Sequence, residues 1–181
     1  MAAMAVLRRA LDELIKTPTA LAPAELATHM AALQAAFVAA LGPEAAARFE
    51  LPDELRLYLE AAGGAQYDRS ITLWSLAGMI RSTESWMRIK GGEDPEERPA
   101  DGPWIHVASY GDKHWLFLCC DRAHAEFGHV AEGYDLVPWM DEEELEYNLR
   151  YALVDPWGDE SPPEARWSFF GLLELLTEAR S

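Results

Sequence analysis

Residues 104–110 (WIHVASY) and 114–120 (HWLFLCC) are two apolar runs of strand length separated only by Gly111, Asp112 and Lys113. So short a glycine-containing link predicts an antiparallel hairpin. Around it lie further strand signals. Residues 70–74 (SITLW) alternate with period two, and 127–131 and 136–140 read as short strands. Sequential strands with short links favour an antiparallel sheet of about four to six strands. The helical patterns on either side of the meander then supply helices packed on one side of it. The expected class is α+β, in one domain over residues 1–181.

The helical segments carry their own punctuation. Residues 6–16 place Leu7, Leu11, Leu14 and Ile15 on one stripe, and Pro18 stops them. Pro23 opens a longer helix in which Leu26, Met30, Leu33, Phe37 and Leu41 recur at helical spacing, ended by Gly42-Pro43. In residues 51–64 (LPDELRLYLEAAGG), Pro52 suits a first helical turn and Asp53 and Glu54 suit the positive end of the dipole. Leu51, Leu55, Tyr58, Leu59 and Ala62 share a face, and Gly63-Gly64 offers a left-handed stop. Ser75 is placed to cap a helix over 76–87 with Met79, Ile80 and Thr83 inward. Residues 91–103, with three prolines and three glycines, read as a loop. Asp141 begins another expected helix, residues 155–163 read as a loop, and the last helix turns Phe169, Leu172, Leu173 and Leu176 inward.

Charge narrows the partners. Thirty-one acidic residues against fifteen basic ones leave a net charge of −16. Such a chain is repelled by phosphate backbones and anionic lipid surfaces, so neither direct nucleic-acid binding nor membrane binding is expected. Its field favours a basic partner, although an acidic balance also serves solubility alone. Adjacent Cys119 and Cys120 read as buried thiols rather than a disulfide, because a bond between neighbours demands a strained geometry. Arg8, Arg9, Asp12 and Glu13 argue against a signal peptide or membrane span at the N-terminus, which makes the cytoplasm the expected compartment.

Several of these segments together resemble the SUKH superfamily, and within it the Smi/Knr-type domain. The segments are Leu51-Pro52-Asp53-Glu54-Leu55-Arg56-Leu57-Tyr58-Leu59 with Gly63-Gly64, and the strand and helix over 71–80. They continue with Gly111-Asp112 before Trp115-Leu116-Phe117-Leu118, with Gly128-His129-Val130, and with Ser168-Phe169-Phe170-Gly171-Leu172-Leu173. The likeness runs in order over about residues 23–178, leaving 1–18 as an extra N-terminal helix. It departs at Ala125-Glu126, which lacks an acidic turn, at 141–153, which reads as an insertion, and at Gly171, which costs a helix about 1 kcal/mol relative to alanine. The resemblance implies a non-enzymatic protein without cofactor: a bacterial immunity protein that binds a cognate toxin, often a nuclease, and occludes its active site. Its alternative is a regulatory or scaffolding module of the same type acting on a housekeeping partner.

The candidate docking surface follows from composition. Asp141, Glu142, Glu143, Glu144 and Glu146 form the densest acidic run, and Trp139, Tyr147 and Trp157 are the aromatic anchors beside it. A solvated helix start whose carboxylates answer the dipole is the other reading of the same run. His106, His114, His124 and His129 lie near Cys119, Cys120 and Asp121, but their spacing matches no metal signature, so a metal-dependent enzyme ranks last. Ser109 and Ser168 have no base adjacent in sequence, no nucleophile elbow occurs, and Gly91-Gly92 lacks the lysine of a phosphate loop.

Overall fold

A computed structural model describes residues 2–15, 18–63, 71–73, 75–90, 102–110, 114–132 and 167–178. In chain order the elements are α1 (Ala2–Glu13), α2 (Pro23–Leu41), α3 (Pro43–Ala46), α4 (Asp53–Ala62), β1 (Ile71–Leu73) and α5 (Leu76–Lys90). After these come β2 (Trp104–Tyr110), β3 (His114–Cys119), β4 (His129–Glu132), β5 (Trp167–Ser168) and α6 (Phe169–Glu178). The strands form one five-stranded sheet in the order β1-β2-β3-β4-β5, each antiparallel to its neighbours. The fold is α+β.

The expected hairpin forms, with Tyr110 opposite His114 and Trp104 opposite Cys119. Its register contains a bulge between His106 and Ala108. Alternation and pairing put Trp104, His106, Phe117 and Cys119 on one face, and Ile105, Leu118 and Val130 on the other. The extra residue, Val107, resets the phase, so Ser109 returns to the face of His106 although the two are an odd number apart.

The helical stripes become the core. Leu7, Leu14 and Ile15 of the first segment, Leu26, Leu33 and Phe37 of α2, and Leu55, Tyr58, Leu59 and Ala62 of α4 are all buried in one cluster with the sheet and α6. Met79, Ile80 and Thr83 of α5 are buried, and Ser75 Oγ accepts the Gly78 N–H at 3.2 Å, the expected cap. Among the described helices α2 is also long and apolar enough to cross a membrane, by length and composition.

Several local expectations need correction. Pro52 is the N-cap of α4, in an extended conformation, rather than its first helical residue. Of the expected Gly63-Gly64 stop, Gly63 ends α4 at φ −62°, a right-handed conformation, and Gly64 lies outside the described residues. A Cβ at Gly63 would collide both with the backbone oxygen of Leu59 and with Leu21 Cδ1. Gly42, by contrast, ends α2 at φ 84°, where a side chain is strained. The first helix begins before residue 6 and stops at Glu13, and α5 continues to Lys90. Phe127 and Gly128 belong to the turn that precedes β4, closed by the Phe127 N–H donating to His124 O at 3.2 Å. Both α3 and the two-residue β5 were unforeseen. The expected link 111–113, loop 91–101, strand 136–140, helix 141–153 and loop 155–163 lie outside the described residues.

Two long-range fastenings fix the helical half to the sheet. Phe49 bridges Asp121, flanked by Glu50 N–H donating to Cys120 O at 2.8 Å and Arg122 N–H donating to Arg48 O at 3.0 Å. Beside them Arg48 Nε pairs with Asp121 Oδ2 at 2.9 Å, and Asp121 Oδ1 accepts the Ala123 N–H. The second fastening joins α4 to α6, as described next.

Candidate functional site

The two most characteristic segments, 51–59 and 168–173, meet in space. Ser168 Oγ accepts the Gly171 N–H at 3.2 Å, so this serine is the N-cap of α6. Glu54 Oε2 accepts the Phe170 N–H at 2.7 Å, answering the second free donor of the same helix end from 116 residues away. Tyr58 packs edge-on against Phe169 with ring centroids 5.2 Å apart. Glu54 was expected to serve the dipole of its own helix. It lies in that first turn, as expected, and in addition places its carboxylate on the positive end of α6.

The expected docking residues Trp139, Asp141, Glu142, Glu143, Glu144, Glu146, Tyr147 and Trp157 all lie outside the described residues. Their setting in the sequence is strongly one-sided. Residues 91–181 hold 21 of the 31 acidic residues and 6 of the 15 basic ones, so almost all the net charge resides in that half. Residues 1–90, with ten acidic and nine basic residues, are close to electrically neutral. The long-range negative field of the chain therefore originates mainly from residues 91–181.

The four histidines have separate fates. His106 is 4 % exposed, with Nδ1 2.5 Å from Ser82 Oγ and Nε2 3.0 Å from Ser109 Oγ. Its ring stacks on Phe117 at 4.8 Å. Burial lowers its pKa from 6.5 to about 4, against a smaller upward pull from a backbone hydrogen bond with Ala108. Ser109 has no base adjacent in sequence, yet the fold sets its Oγ against the His106 ring. The bulge brings the two together, and nothing in a linear pattern announces a bulge. So weakly basic a ring is a poor proton acceptor for catalysis at neutral pH. Its two hydroxyl partners satisfy a buried neutral imidazole.

His124 is exposed and accepts the Glu126 N–H through Nδ1 at 3.1 Å, with its ring edge-on to Trp104 at 5.6 Å. The side chain of His114 lies outside the described residues, and His129 Nδ1 is buried with no hydrogen-bond partner among the described residues. Among the described residues no three His, Cys, Asp or Glu side chains come together in a way that could hold a metal ion.

Cys119 and Cys120 are both buried free thiols, as expected. Burial pushes Cys119 up to about 11, with the nearby Asp121 and Glu126 carboxylates adding to the rise against a backbone hydrogen bond to Asp121. Cys120 is also raised well above the ordinary thiol range, again by burial first. Neither is a thiolate nucleophile at neutral pH.

No family model, curated protein or solved structure matches this chain.

Proposed function

We propose that this chain is a cytoplasmic, non-enzymatic binding protein of SUKH type, an immunity protein that neutralises a basic toxin by covering its active site. The observation that carries the reading is the ordered set of motifs from residue 51 to residue 173. Two of them, 51–59 and 168–173, join through Glu54, Tyr58, Phe169 and Phe170. A net charge of −16 concentrated in residues 91–181 supports a basic partner and argues against nucleic acid as the ligand. In this reading the carboxylates of 141–146 steer the encounter, and Trp139, Tyr147 and Trp157 supply the desolvated anchors that hold it.

The deciding experiment is co-expression with the product of the adjacent gene. Rescue of growth, with a co-purifying complex whose association rate falls steeply between 50 and 500 mM salt, is the expected result. A neighbouring gene product that neither poisons the host nor binds this chain removes the immunity reading.

A further inference from the structure

We draw no further inference here: the strongest candidate, the exposed and uncharged face of α2 formed by Ala24, Ala27, Ala31, Ala35 and Val38, is a stripe of small residues, and nothing in the structure shows what covers it.

Discussion

Glu54 separates a local account of this fold from a tertiary one. Asp53 and Glu54 are neighbours in the first turn of α4, and a purely local reading gives them equal parts against its dipole. The structure gives Glu54 a second task, because its Oε2 accepts the Phe170 N–H at 2.7 Å across 116 residues of sequence. A hydrogen bond from a buried helix end to an ionised carboxylate contributes about 1.5–3 kcal/mol. Half-burial of Glu54 places it toward the low end of that range. Replacing it by alanine is expected to cost about 2 kcal/mol, and by glutamine, which keeps an acceptor without the charge, about 1 kcal/mol. Asp53→Asn, at an exposed position, should cost about 0.5 kcal/mol or less.

Urea denaturation of the three variants at pH 7 measures these differences as midpoint shifts at constant slope. A double-mutant cycle of Glu54→Ala with Ser168→Ala adds a second readout, since both groups cap α6 and should couple by more than about 0.5 kcal/mol. Equal losses for Glu54→Gln and Asp53→Asn, together with additive behaviour in the cycle, would refute the interhelical cap.

Three further outcomes follow from particular contacts. Gly171 lies in the first turn of α6, where a Cβ would meet only ordinary contacts with Trp167 and Ser168, at 3.5 and 3.6 Å. Gly171→Ala should therefore stabilise the protein by about 0.5–1 kcal/mol, read from the same urea curves. Arg48→Ala leaves the Asp121 carboxylate, whose side chain is 4 % exposed, with the Ala123 N–H but without its cation, and should lower stability by about 2 kcal/mol; a loss below about 0.5 kcal/mol would mark the pair as a surface contact. Cys119 and Cys120, buried and with raised pKa values, should react with an aromatic disulfide reagent at pH 8 at least about a hundredfold more slowly in the native protein than in 6 M guanidinium.

What a linear pattern carries is interaction between residues a few positions apart. The stripes of α1, α2 and α4, the serine cap of α5 and the β2–β3 hairpin are all of this kind. For each, the periodicity of apolar residues is the same quantity that burial later rewards. The α+β class followed from their order along the chain. The sequence also determined the size and sign of the charge, which the fold can distribute but not alter.

The remaining features were decided by tertiary structure. The bulge at Val107 returns Ser109 to the face of His106, and nothing in HVAS distinguishes a bulged strand from a regular one. At Gly63 a Cβ would meet Leu21 Cδ1, forty-two residues earlier, as well as Leu59 O of its own helix, and the first of these approaches is set by how the segments pack. Glu54 and Phe170, Ser82 and His106, and Arg48 and Asp121 pair across 116, 24 and 73 positions. Each such partnership depends on how helices and sheet pack as whole bodies. Hydrogen-bonding side chains of the same type are abundant along the chain, and only three-dimensional proximity selects which of them meet.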